Sequence, residues 1–409
     1  MGDTDDRAGR ASEMEEQISE WRARRARIGA AVCFLLTGFV SASWASRIPA
    51  IKDSLGLSDG QFAIALVGLE AGAVFGLQFG GLVVPRTGSR RALTTSLLAF
   101  SCALLGPAIA PNHLVLAGSL FSFAVLTSVA DVAMNAQGVT VQRLMGRPVL
   151  SGMHATHSLG GILGAGGGAL AARLDAAPLQ HFLAAAALAG VACVATSPLL
   201  LPWWVDAENG TSEAAAAPTT DARQWFSGWS APIVLLGALA FSVTLADGAA
   251  LNWSAVYVTG ALGGAEALGA VGLGVFLGAV TLGRLAGDRL ISRFGPVRVF
   301  RAGAVVAGVG FGGALLVDTP VAGLIGFGLL GAGIANALPL AIASGSHAPD
   351  ETPATAAARV STLGYLGSFV GPVLIGGLAS LSSLPFALGL PALLVLATAF
   401  GAKAVGRAG

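Results

Sequence analysis

The chain has 409 residues, 54% of them hydrophobic and 11% charged, with a net charge of +1, against roughly 25% charged residues in a soluble domain. Such a chain cannot cover a water-facing surface, and its near-neutral balance implies no polyanionic partner such as nucleic acid. Lys52 and Lys403 are the two lysines, and neither ends a glycine-rich phosphate loop, which argues against an in-chain nucleotide motor; no cofactor is expected.

In chain order, a charged tail at 1–27 leads into apolar stretches near 28–48, 61–84, 92–110, 114–140, 150–172 and 179–201. Each is long enough to cross roughly 30 Å of hydrocarbon. Arg22, Arg24, Arg25 and Arg27 precede the first stretch, but its length and the stretches that follow mark a spanning helix, not a secretory signal. A polar linker at 203–230 then introduces 231–258, 266–287, 299–317, 320–344, 354–380 and 383–402, with a short tail at 403–409. The predicted fold is an all-α membrane protein of twelve transmembrane helices in two bundles, 28–202 and 231–402. Cys33, Cys102 and Cys193 lie in apolar runs without paired spacing and read as small packing residues.

Positive charge sets the orientation. With the N-terminus in the cytoplasm, 20 of the 23 Lys and Arg residues fall on the cytoplasmic side, leaving Arg47, Lys52 and Arg173 outside. Both termini are therefore expected in the cytoplasm. On the second stretch Gly68, Gly72, Gly76 and Gly80 recur every four residues, a bare stripe that admits a neighbouring backbone. Static packing and sliding fit this stripe equally well.

The second half repeats the first. Trp44 recurs as Trp253 at an offset of 209, and Gly88, Gly160 and Gly164 recur as Gly295, Gly367 and Gly371 at 207. A parallel repeat places the two six-helix bundles about a pseudo-twofold axis normal to the membrane, with a site between them.

The run GGLVVPRTGSRRAL after the second stretch and GRLAGDRLISRFGPVR after the eighth resemble the loop signature of the major facilitator superfamily (MFS). The resemblance covers the whole chain. It implies gating roles for Arg86, Arg90, Arg91, Asp288 and Arg293, although Pro85 stands where the first copy usually carries an acid. DVAMNAQGVTVQ and HATHSLGG are similar to the bacterial fucose permease branch of sugar:proton symporters. There an acid on the fourth helix is implicated in proton coupling, and Asp131 matches it. The acid which that branch carries on its first helix is replaced here by Arg47, and the fifth helix lacks the proline associated with antiporters. The family also implies a cavity lined by helices 1, 4, 7 and 10.

Glu70, Asp131 and Asp247 fall well inside predicted helices. An ionised acid at that depth costs at least ~2.5 kcal/mol, so each needs a partner, water or a proton. About the turn at 143–148, Asp131 is level with His157 and Asn135 with His154, a constellation suited to relaying a proton. A structural polar clamp is the alternative, and a metal site is disfavoured. Asp247, Asn252 and Trp253, with Asn336 on the tenth stretch, are candidate solute contacts, although the tryptophan suits an interfacial anchor slightly better than a ligand contact. Glu70 is expected to face away from the glycine stripe. Arg47 suits either an anionic solute or lipid headgroups.

The reading is a monomeric, proton-coupled transporter of a small polar solute in the bacterial inner membrane, working with protons and the lipid bilayer and not as an enzyme. A proton-driven drug or metabolite exporter is the nearest alternative. A membrane-embedded enzyme and a transport-inactive receptor stand behind it.

Overall fold

A computed structural model describes residues 2–146, 149–202, 229–345 and 353–406. Twelve main helices follow the predicted stretches: α1 Gly2–Ser46, α2 Asp59–Thr87, α3 Ser89–Ala103, α4 His113–Met145, α5 Leu150–Arg173, α6 Pro178–Thr196, α7 Ala231–Val256, α8 Glu266–Phe294, α9 Pro296–Ala314, α10 Pro320–Ile334, α11 Pro353–Leu381 and α12 Leu384–Gly401. Among the described residues eleven spans are long and apolar enough to cross a membrane. The twelfth is α5, 24 residues long and packed along α1. Most of the predicted linker, 203–228, lies outside the described residues, as do 147–148 in the turn between α4 and α5 and 407–409 of the C-terminal tail.

Helix starts opposite the termini carry their own caps. Ser58 and Gln61 form a capping box at α2, Asn112 Oδ1 accepts from the Leu114 and Val115 amides at α4, and Ser383 caps α12. Each satisfies backbone donors that lipid could not. At the other face Gly88 (φ 80°) and Gly295 (φ 81°) make the matching turns between α2 and α3 and between α8 and α9, a left-handed backbone that favours glycine.

The repeat seen in sequence is a repeat of contacts. A Cβ added at Gly160 would meet the Leu35 carbonyl of α1, and one at Gly164 that of Phe39. Their counterparts Gly367 and Gly371 press on the Phe241 and Leu245 carbonyls of α7. Likewise Gly68, Gly72 and Gly76 seat α2 on the backbone of α4 at Ala117, Phe121 and Val125, while Gly283 and Gly287 seat α8 on Ala335 and Asn336 beside α10. The two bundles meet through α2 with α11 and α5 with α8, pairs exchanged by the pseudo-twofold. The glycine stripe is thus a packing surface within a bundle, and the contact between bundles lies elsewhere.

Three predicted stretches are not single helices: the third ends its main helix at Ala103 and resumes in a short turn of helix, Gly106–Ile109. α1 ends at Ser46 and a short helix, Ile48–Ser54, continues the chain. The tenth stretch breaks after Ile334 and resumes at Ala337. Pro339 explains the break: it has no amide to donate to the carbonyl of Ala335, and its ring clashes there.

Candidate functional site

A cavity of about 460 Å³ lies between the bundles, within the ~300–1,000 Å³ range of small-molecule sites. Helical spacing assembles its walls. On α4, Ala124, Thr127, Ser128 and Asp131 share one face; on α7, Asp247, Gly248, Leu251 and Asn252 do so; on α8, Leu273, Phe276, Leu277, Val280 and Arg284 do so, each set recurring at three- and four-residue steps. From α1 come Gly38, Ser41, Ala42 and Ala45, from α2 Leu69, Glu70 and Ala73, from α5 His157, Ser158 and Gly161, and from α11 Ser368.

The cavity unites the three predicted acids Glu70, Asp131 and Asp247 with His157 and Asn252. None of the acids makes an ion pair among the described residues. Asn252 donates to the Gly248 carbonyl of its own helix at 3.0 Å. Asn135 similarly donates to the Asp131 carbonyl at 2.9 Å and does not line the cavity. His154 stands outside the lining as well, its ring edge against Phe34 with centroids 4.9 Å apart. The level pairing expected across the α4–α5 turn therefore puts Asp131 and His157 on one cavity and leaves Asn135 and His154 beside it.

Three further candidates are used elsewhere. Trp253 is fully buried, stands edge-on to Phe62 at 5.2 Å and donates Nε1 to the Pro372 carbonyl at 3.0 Å. Asn336 donates to the Gly283 carbonyl at 2.8 Å and lines a separate cavity between α8, α9 and α10. The expectation of a cavity walled by helices 1, 4, 7 and 10 is corrected here: α10 does not line the central cavity, and α2, α5, α8 and α11 do. The Pro339 break turns the side chain of Asn336 toward α8.

Arg47 is only 2% exposed although it lies near a membrane face. Its Nε lies 2.9 Å from Glu266 Oε1 at the start of α8, and its Nη2 donates to the Ala176 carbonyl at 2.6 Å. The first contact crosses from one bundle to the other. On the same face Gly60 faces Ser380, and Gly376 packs under the Trp253 ring and Ala63. The bundles are sealed together on the side away from the termini.

At the opposite face Arg86 donates to the Leu82 carbonyl of its own helix at 2.7 Å, and Arg293 lies over Phe294 at 5.3 Å. Arg86, Arg91, Asp288 and Arg293 are exposed and Arg90 is half-buried. Among the described residues none of the five forms an ion pair.

Arg284 was not singled out in the sequence, where it counts among the charges around the end of α8. It sits ten residues before that end, roughly 15 Å inside, and donates Nε to the Ala335 carbonyl at 3.4 Å. That is the carbonyl left without a helical donor by Pro339. Arg284 lines both the central cavity and a small adjoining pocket that it shares with Asp247. An arginine and a proline spaced to meet across two helices was the available signal, legible only once α8 and α10 were known to pack.

The sequence matches the family model of the Major Facilitator Superfamily over residues 30–372. An uncharacterised MFS-type transporter of Yersinia pestis is 32% identical over 378 residues, covering 92% of this chain and 94% of that protein. The crystal structure of the nucleoside transporter NupG superposes with a TM-score of 0.75 at 13% identity, covering 93% of this chain and 99% of that one. A D-xylose–proton symporter structure does so with a TM-score of 0.67 at 13% identity, covering 92% and 96%.

Proposed function

The chain belongs to the Major Facilitator Superfamily and is a multi-pass membrane transporter, and from that premise we propose that it moves a small polar solute by proton-coupled alternating access. The observation that carries the reading is the central cavity, in which Glu70, Asp131, Asp247 and His157 converge from both bundles without an ion pair among the described residues. An acid so placed must be hydrated, paired or protonated. Asp131 is the proton carrier in this reading and His157 the group that exchanges with it. Arg284 supplies the opposing charge beside Asp247, so the cavity offers the solute both donors and acceptors.

A sugar or related polyol fits such walls, and the fucose permease-like motifs around Asp131 and His157 favour it. With both termini in the cytoplasm of a bacterial inner membrane, the sealed face is the outer one and the conformation is inward-facing. Arg47 and Glu266 then form the outer latch, and Arg86, Arg90, Arg91, Asp288 and Arg293 engage when the inner face closes. A proton crossing ~100 mV supplies about 2.3 kcal/mol, enough to accumulate an uncharged solute roughly fifty-fold at one proton per cycle. Export is the alternative direction, and uptake into right-side-out against inverted vesicles distinguishes the two.

Proton uptake on solute addition to proteoliposomes tests the assignment. Asp131→Asn is expected to abolish uptake while solute still stabilises the protein. Unchanged proton movement in that variant removes Asp131 as carrier.

A further inference from the structure

A carboxyl becomes neutral by taking a proton, whereas a guanidinium keeps its charge in any protein setting. Glu70, Asp131 and Asp247 are of the first kind, and Arg284 is the one arginine or lysine among the described residues that line the central cavity. Its Nε is engaged by the Ala335 carbonyl at 3.4 Å. Among the described residues its two terminal nitrogens make neither a hydrogen bond nor an ion pair, and Asp247, which shares the small adjoining pocket, does not pair with it. A planar guanidinium anchored through Nε with both Nη atoms unspent presents the fork that matches a carboxylate or phosphate. A second donor on the same walls is also unspent. Trp44 lines the cavity, and its indole N–H is buried without a partner, whereas its repeat counterpart Trp253 donates to the Pro372 carbonyl at 3.0 Å. The hydroxyls of Ser41 and Ser128, on the lining as well, make no hydrogen bond among the described residues.

Alternating access passes through a stage in which both faces are closed and bulk water has left the site. A guanidinium unpaired at that stage is an uncompensated buried charge, which is strongly destabilising. The empty carrier can close with ionised Asp247 as the counter-charge. In the loaded carrier that carboxyl takes a proton, and the anion has to come from the solute. Resting on the reading above that this cavity is the transport site, we propose that the solute is a polyol bearing one carboxylate, held by the Nη atoms of Arg284 while its hydroxyls meet Ser41 and Ser128. A neutral sugar leaves the guanidinium unpaired, and an amino sugar adds a like charge beside it. A phosphate ester brings close to two negative charges to a single cation. Of these solutes, the sugar acid alone balances the fixed charge.

Matched solutes test this on the unaltered chain: glucose, galactose and mannose, each beside its uronate, its amino sugar and its phosphate ester, titrated in detergent with thermal stabilisation as the readout. A pair of charge-assisted hydrogen bonds strengthens binding about thirty-fold, so at least one uronate should bind tighter than its neutral parent by that factor. Arg284→Gln should remove the preference, and Arg284→Lys, which keeps the charge and loses the fork, should retain part of it. Arg289 is exposed and outside the cavity, so Arg289→Gln removes the same charge and should change uronate binding less than about three-fold. Asp247→Asn removes the competing carboxylate and should bind the uronate at least as tightly as the unaltered chain. Tightest binding by a neutral sugar, an amino sugar or a phosphate ester overturns the proposal, as does a panel in which no uronate binds. Equal losses in Arg284→Gln and Arg289→Gln, or weaker uronate binding in Asp247→Asn, overturn it too. Failure of the transport reading is told apart in proteoliposomes. Proton-coupled uptake of a neutral sugar, lost in Asp131→Asn, removes the carboxylate alone, whereas uronate binding without proton movement removes the coupling alone.

Discussion

Glu266→Gln isolates the inter-bundle latch, because it removes the charge facing Arg47 and leaves the Arg47 bond to the Ala176 carbonyl in place. Breaking a fully buried pair costs about 3–5 kcal/mol. Glu266 is 32% exposed while Arg47 is 2% exposed, so water screens one partner and about 2 kcal/mol is the better figure. That cost falls on the sealed conformation, since opening this face hydrates Arg47. The equilibrium should move roughly thirty-fold toward the open state, taking a population of about 19:1 sealed to about 2:3. Gly60→Cys with Ser380→Cys reads the change directly, because a Cβ at Gly60 would lie 3.2 Å from the Ser380 Cβ, close to the range of a disulfide. The expected result is a large fall in cross-linking rate on adding Glu266→Gln, with recovery in the exchanged pair Arg47→Glu and Glu266→Arg. A cross-linking rate that Glu266→Gln leaves unchanged would refute the latch.

Arg284→Gln should lower solute transport at least ten-fold while leaving expression near normal, whereas Pro339→Ala, which restores the donor to the Ala335 carbonyl, should produce a milder loss by releasing Arg284. Radiolabelled uptake in vesicles checks both, and equal activity of all three proteins would show that Arg284 takes no part. Gly160→Ala and Gly367→Ala each place a Cβ on a carbonyl of the facing helix. Each should destabilise by about 1–3 kcal/mol, measured as a lower melting temperature, whereas Gly166→Ala, with no atom within 4 Å of the added carbon, should be near neutral.

Much of the architecture was legible because a membrane writes its demands into composition. A span must be apolar over its length, and a bundle contact must be made of small residues. The pairs Gly160 with Gly367 and Gly164 with Gly371 announced the repeat, and the structure shows why those positions are glycine in both halves: each sits on a backbone carbonyl of the helix that lines the cavity. The break at Asn336 was not legible as such, because proline in a spanning stretch can either kink it or end it. The cavity was legible only in part. Acids deep in a span are costly enough to stand out, so Glu70, Asp131 and Asp247 were found, whereas Arg284 was hidden among the charges that close α8.

The sequence by itself determined the number of spans, their pairing into two equivalent halves and the acids that need an explanation, because each follows from local composition or from periodicity. Only the tertiary structure decided which polar groups share one space. It set Asp131 and His157 on the cavity and Asn135 and His154 beside it, turned Trp253 and Asn336 into packing, and took Arg47 from solute candidate to partner of Glu266. Those outcomes depend on the rotation of each helix about its own axis and on contacts between residues from 53 to more than two hundred positions apart. No window of sequence records either.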